Sequence, residues 1–232
     1  MVWTESRIVS DVQDPLGLEL RVSTRMAGQL LFCITTITPR ARYYSFLPWV
    51  IDEYRRVIKD TPADRGMRAW IRRYEKAFAL GCIAADDEDN PLGRGIVGRR
   101  AAVAQWDADD SGSIELTGYR RQGNLAWKQY GTSLVNMYLF NEIKPEEEDS
   151  EMEREVGREI DVLTLSDLGQ RIADAYGSSV GSASLTTLLA EPDPNLVRAD
   201  AAAFADRGGA DQSVVEGALD RQLLRDLFFN RV

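Results

Sequence analysis

"YYSFLPWVIDEYRRVI", residues 43–58, decides the fold. Tyr43, Phe46, Leu47, Val50, Ile51, Tyr54, Val57 and Ile58 recur at steps of three and four, which gathers them on one broad face of an α-helix. Pro48 lies inside the pattern. It has no amide hydrogen and a fixed φ, so it fits only the first turn of a helix. The spacing therefore predicts a start near Ser45, whose hydroxyl suits an N-cap.

The same periodicity spreads outward. Upstream, Leu18, Val22, Met26 and Leu30 repeat every four residues between the turn "DPLG" and Pro39. Downstream of "DTPAD", Met67, Trp70, Ile71, Tyr74 and Phe78 form a second stripe, with Arg68, Arg72, Arg73 and Lys76 opposite or flanking it and Gly81 as the expected end. "AADDEDNPLGRG" is an acidic, turn-rich loop, and "GIVGRRAAVAQWD" is compatible with a strand or a short helix. "LAWKQYGTSLVNMYLFNEI" is helical, with Trp127, Tyr130, Leu134, Met137 and Tyr138 on one face. A β-prone "DVLTL" then leads into "SDLGQRIADAY", for which Thr164 and Asp167 match a capping box and Leu165, Leu168 and Ile172 line the inner side. "YGSSVGSAS" has the composition of a flexible connector. Asn195 is placed to cap a helix ending at Gly208, and Ser213 with Glu216 to cap another through Val215, Leu219, Leu223 and Leu227. That last pattern is still running at Phe228 and Phe229, so either those rings dock on the core or the chain is a piece of a longer one.

The expected fold class is mainly α: a multi-helix domain with a small β hairpin. Its segments are an N-terminal helical domain (1–83), an acidic loop or hairpin insertion (84–118), a third segment (119–180) and C-terminal helices (181–232).

Composition narrows the chemistry. The 232 residues carry a net charge of −9 and contain no histidine. Histidine-based triads, histidine-ligated zinc and HNH-type nucleases are thereby excluded within this chain. There are 24 Arg against 4 Lys, and 21 Asp with 16 Glu. Such an acidic, lysine-poor balance fits a protein of molar salt, where screening shortens to roughly 3 Å and surplus negative charge repels itself little. A halophilic archaeon is the expected source. The sequence shows neither a 20-residue apolar run nor a basic-then-apolar leader, so no membrane contact and a cytoplasmic location are expected. Cys33 and Cys82, far apart in apolar surroundings, are expected to be buried free thiols.

"WDADDSGSIELTGY", residues 106–119, resembles a calcium loop through Asp107, Asp109, Ser111 and Gly112. Counting from Asp107, position 12 is Gly118, which offers no side-chain oxygen where an EF-hand needs a bidentate Glu. A solvated turn is expected instead. The sequence assigns no metal, no cofactor and no catalytic residue. Neither a P-loop nor a carboxylate–lysine nuclease set is visible.

Residues 119–176 resemble the end of a winged helix-turn-helix domain. The residues that carry the likeness are Ser133, Leu134, Tyr138, Leu139 and Phe140, then Leu163, Thr164, Leu168, Gly169, Ile172 and Ala173. The resemblance implies that the helix from Trp127 faces a DNA groove while Arg120, Arg121 and Lys128 hold phosphates. The intervening "EEEDSEMERE" departs from the basic wing of such domains. The front, "DPLGLELR…TPRARYYSFLPWVIDEYRR", is similar to a family of prokaryotic proteins found with restriction and phage-defence genes. Within it Arg40 and Arg42 lie beside Tyr43, Tyr44, Phe46 and Trp49, either as a guanidinium-and-aromatic patch for nucleic acid or as part of the core. The doublets Arg55–Arg56, Arg72–Arg73 and Arg99–Arg100 are expected to pair with the abundant acids. The expected function is a non-catalytic accessory module of a defence or DNA-processing system that touches nucleic acid. Alternatives are a helical subunit that binds a protein partner from the same operon without DNA contact, and, further off, a magnesium-dependent nuclease fragment.

Overall fold

Helix α1 (Tyr43–Ile58) forms where the spacing places it, but it begins two residues earlier, so Pro48 is its sixth residue. Packing explains the shift. Tyr43 and Tyr44 are 0% and 1% exposed, and burying two aromatic rings outweighs the single intrahelical bond that proline cannot make. Ser45 is then inside the helix. In this computed structural model the described residues are 40–58, 66–84, 95–108, 112–116, 126–141, 164–191, 193–210 and 218–229. All of them belong to one compact unit, Thr36–Val232. About 75% of them are helical. The helix expected around Leu18–Leu30, Cys33 and the Ser213–Glu216 box lie outside the described residues.

Helix α2 (Met67–Ala84) runs through Gly81 instead of ending there. A Cβ on Gly81 would meet the Ala201 carbonyl oxygen at 2.5 Å. The glycine therefore serves a close helix–helix approach, to α7 (Arg198–Gly208), and not a C-cap. The ambiguous "GIVGRRAAVAQWD" contains a helix, α3 (Arg99–Ala108), packed on α2. Helix α5 (Asp167–Val180) is the main partner of α1, which α2 and α4 (Ala126–Asn136) also touch. Short α6 (Thr186–Ala190) touches α2, and α8 (Asp220–Phe229) packs on α5 and α1. "YGSSVGSAS" is not a loose connector: α5 extends to Val180 and a 3-10 turn, Gly181–Ala183, follows.

Among the described residues, four short strands pair antiparallel. β1 (Ser113–Glu115) faces β4 (Asn195–Val197) with Ile114 opposite Leu196, both 1% exposed. β2 (Phe140–Asn141) faces β3 (Thr164–Leu165), with Phe140 opposite Leu165. Asn195 is thus a strand residue, not the cap of α7. The cap of α5 is Ser166, whose Oγ accepts from the Gly169 N–H at 3.0 Å; Thr164 sits in β3. The strand pairing draws Thr164 away from the helix end that a capping box would require.

The core is a chain of rings centred on α1. Tyr43 stacks on Tyr130 at 4.6 Å between centroids, Phe46 meets Phe78 at 4.5 Å, and Trp49 lies 5.2 Å from both Tyr74 and Tyr176. Pairs of this kind add about 0.5–1.5 kcal/mol each beyond area burial. A charged cluster is buried among them. Arg42, fully enclosed, places Nε 3.1 Å from Asp220 Oδ2 on α8, donates from Nη2 to the Arg207 carbonyl at 2.9 Å, and lies 4.8 Å from the centre of the Tyr176 ring. Ser45 Oγ donates to Asp220, with the Arg42 carbonyl 3.1 Å away as an alternative acceptor. Arg73 caps the end of α6 by donating to the Leu189 and Glu191 carbonyls at 2.8 and 2.9 Å. Cys82 is a buried thiol outside any disulfide. Among the described residues, no helix is long and apolar enough to cross a membrane.

Candidate nucleic-acid interface

Helix α4 divides by its own period. Ala126, Trp127, Tyr130, Ser133 and Leu134 face inward; Lys128, Thr132 and Asn136, four residues apart, are exposed. No carboxylate occurs anywhere in "AWKQYGTSLVN", although the chain carries a net charge of −9. The outer stripe is therefore one ammonium, one hydroxyl and one carboxamide in a row.

Both ends of α4 are fixed from outside. Glu75 of α2 reaches the first turn: its Oε1 accepts from the Ala126 N–H, and the Trp127 N–H also donates to this carboxylate. A side chain from another helix does the work of an N-cap, at the two residues before Lys128. Burial pushes the Glu75 carboxyl up to about 8, while those two N–H donors and the nearby Arg72 charge pull the other way. At the far end the Leu139 N–H reaches the Leu134 carbonyl at 3.1 Å and the Tyr138 N–H reaches the Val135 carbonyl at 2.9 Å, a Schellman closure. Tyr138 occupies the left-handed position of that closure, at φ 57°, and is 69% exposed. It does not share the buried face that its spacing predicts, because the helix has already ended.

α5 grips this end. Ser166 Oγ donates to the Tyr138 carbonyl at 2.7 Å, and the Ser166 N–H donates to the Leu139 carbonyl at 3.0 Å. Gly169 permits the approach, since a Cβ there would stand 2.0 Å from the Leu139 oxygen. The order is helix, strand, antiparallel strand, helix.

The cations expected from the sequence separate. Lys128 is exposed on the stripe. Arg40 is half-buried and adjoins the same helix, its backbone N–H donating to Tyr130 Oη at 3.2 Å. Arg120 and Arg121 lie outside the described residues. Arg42 is corrected: it is wholly internal, paired with Asp220, and offers no face to a phosphate. Tyr43, Tyr44, Phe46 and Trp49 are core residues, so the guanidinium-and-aromatic patch is not a surface. Sequence reasoning missed Thr132 and Asn136, which the spacing from Lys128 could have revealed, and Glu75, for which no local signal exists.

Other polar features are already occupied. A cleft of about 400 Å³ beside α1 and α5 is lined by Trp49, Glu53, Arg56 and Asp174, but Arg56 bridges Glu53 at 3.2 Å and Asp174 at 3.4 Å, and also pairs with Asp52. The calcium-like stretch joins α3 to β1, a strand where an EF-hand has its second helix. Asp109, Asp110 and Ser111 lie outside the described residues. Arg198 lies 4.2 Å from the centre of the Trp106 ring, and its backbone N–H donates to the Gly112 carbonyl at 3.0 Å. Among the described residues, no group of three or more Cys, Asp or Glu is placed to hold a metal ion. No protein-family model matches this chain, and no curated protein or solved structure matches it either.

Proposed function

We propose that this chain is a non-catalytic accessory module of a haloarchaeal defence or DNA-processing system and that it meets nucleic acid through the outer face of α4. The observation that carries the reading is the Lys128–Thr132–Asn136 stripe, exposed and free of carboxylates in a strongly acidic chain. Lysine neutralises a phosphate, and hydroxyl and carboxamide groups donate to phosphate oxygens or to base edges. The α4–β2–β3–α5 order supports it, being that of a recognition helix followed by a wing and a further helix. Arg120 and Arg121, a few residues before α4, supply two more cations close in sequence to the stripe. Residues 146–155 are the opposing element: their acids repel phosphate, and this repulsion weakens at high salt.

Binding of labelled DNA across a salt series tests the reading. Each phosphate contact contributes about −0.9 to the slope of log K against log salt on a duplex, so Lys128→Ala, Arg120→Ala and Arg121→Ala each shrink the slope by about one. Binding indifferent to salt and to all three substitutions retires the proposal.

A second reading has its own observation. Leu219 and Phe229, on or beside α8, are 58% and 77% exposed. Apolar side chains left outside suit a protein partner. A partner that co-purifies from the source cell in molar salt, and is lost with Leu219→Ser and Phe229→Ser, identifies that role.

A further inference from the structure

Tyr138 sits where a helix end ordinarily takes glycine. Among the described residues its φ of 57° is the one positive value at a residue other than glycine. A Cβ in that region crowds the following carbonyl, which is why glycine, and occasionally asparagine or aspartate, fills it. The residue does not offset this cost by burial, being 69% exposed. Yet the backbone is held there from two sides: by the Schellman bonds to Leu134 and Val135, and by Ser166, which binds the carbonyls of Tyr138 and Leu139. Gly169 lets α5 come close enough to do so. A strained residue that its surroundings over-determine points to a use for the side chain.

The neighbourhood says what the use is. Tyr138 follows the last member of the Lys128–Thr132–Asn136 stripe by two residues. Along the helix axis, Lys128 and Asn136 are about 12 Å apart, room for roughly two nucleotide steps of an extended strand. A phosphate-binding cation thus stands at one end of the stripe and an outward ring at the other. Aromatic rings bind unpaired bases of any identity through their π-faces, whereas the bases of a duplex are already stacked.

We propose that Tyr138 is a stacking platform for an unpaired nucleobase, so that the ligand of the α4 face is single-stranded nucleic acid with its backbone along Lys128. This rests on the nucleic-acid reading given above. It explains why a large ring occupies a position that glycine would fill with less strain.

The test uses the full chain with fluorescein-labelled 12-nucleotide oligo(dT), oligo(rU) of the same length, and a 12-base-pair duplex. One of the single strands binds more tightly than the duplex, and whichever leads identifies the strand as DNA or RNA. Tyr138→Ala weakens single-strand binding by about five- to a hundredfold, Tyr138→Trp preserves it, and neither changes the salt slope. Tyr138→Gly weakens binding like the alanine variant while keeping or raising Tm, the reverse of what a tyrosine retained for packing would show. Unchanged single-strand binding in Tyr138→Ala, a preference for the duplex, or a fall in Tm in Tyr138→Gly overturns the platform, and the nucleic-acid reading then survives on the Lys128→Ala slope alone. If all three nucleic acids fail to bind, or bind without response to salt and Lys128→Ala, that reading falls and the platform with it.

Discussion

Arg42, just before α1, and Lys128, in the first turn of α4, are both cations next to aromatic residues, and the fold treats them oppositely. Arg42 is sealed among α1, α5, α7 and α8, its charge answered by Asp220 and its plane lying by Tyr176. Lys128 stands in solvent beside Trp127, which is turned inward. The difference lies in what arrives from far along the chain. Asp220, 178 positions after Arg42, supplies a carboxylate at the start of α1. At the start of α4 the distant carboxylate, Glu75, reaches the backbone N–H groups and leaves the lysine alone. A basic residue beside aromatics thus becomes structure or surface according to the target of a remote acid.

The hardest test of that contrast is Asp220→Ala. It strands a buried guanidinium and lowers stability by about 3–5 kcal/mol, read as a drop in the urea midpoint at unchanged slope. Replacing the pair together, Arg42→Met with Asp220→Leu, recovers most of the loss. A near-neutral Asp220→Ala would mean that Arg42 escapes to solvent and that the two cations are alike. Gly169→Ala comes next: its Cβ collides with the Leu139 carbonyl, and overpacking of this sort costs about 1–3 kcal/mol. The expected sign is lower Tm together with shifted amide resonances at Tyr138 and Leu139.

Glu75 and its neighbour Lys76 are shifted by burial in opposite directions. Burial raises the Glu75 carboxyl from its ordinary 4.5 to about 8, so the folded state holds a proton that the unfolded chain has released. Its contribution is complete below about pH 4.5 and is lost as pH climbs toward 8. Lys76 runs the other way. Burial lowers it from 10.5 to about 8 against the pull of Glu115, so its contribution is complete above 10.5 and is lost as pH falls toward 8. Tm should therefore pass through a minimum near pH 8, by a few degrees. Glu75→Gln should flatten the limb below that minimum and leave the limb above it. The smallest effect is Lys128→Ala on stability, within about 0.5 kcal/mol, because an exposed side chain supports no core contact; a larger loss would place Lys128 with Arg42.

Much of this was readable in the residues. The stripe from Tyr43 to Ile58 named α1, and the apolar spacings named the inner faces of α2 and α4, because a 3.6-residue repeat needs only local information. Of the three residues expected to line α5 only Ile172 is buried, since Leu165 belongs to β3 and Leu168 is half-buried. The errors share one cause. Gly81 as a helix end, Ser45 and Asn195 as caps, and 176–184 as a connector were each inferred from neighbours in sequence, whereas their roles are set by Ala201, by Asp220, by the β1–β4 pairing and by the continuation of α5. At the site, Lys128 was legible and Arg42 misleading. Thr132 and Asn136 follow from helical arithmetic once α4 is accepted. Glu75 was invisible, since nothing in "YEKAF" announces a partner fifty residues on.

The strands have a bearing on the chain as a whole. β2 and β3 flank residues 142–163, while β1 pairs with β4, α1 rests on α5 and α2 on α7 across that same divide. Severing the polypeptide within 142–163 would break one covalent link and leave every one of those interfaces intact. The two fragments should co-elute and denature as one species, which would make this protein a natural reporter for complementation between halves expressed apart.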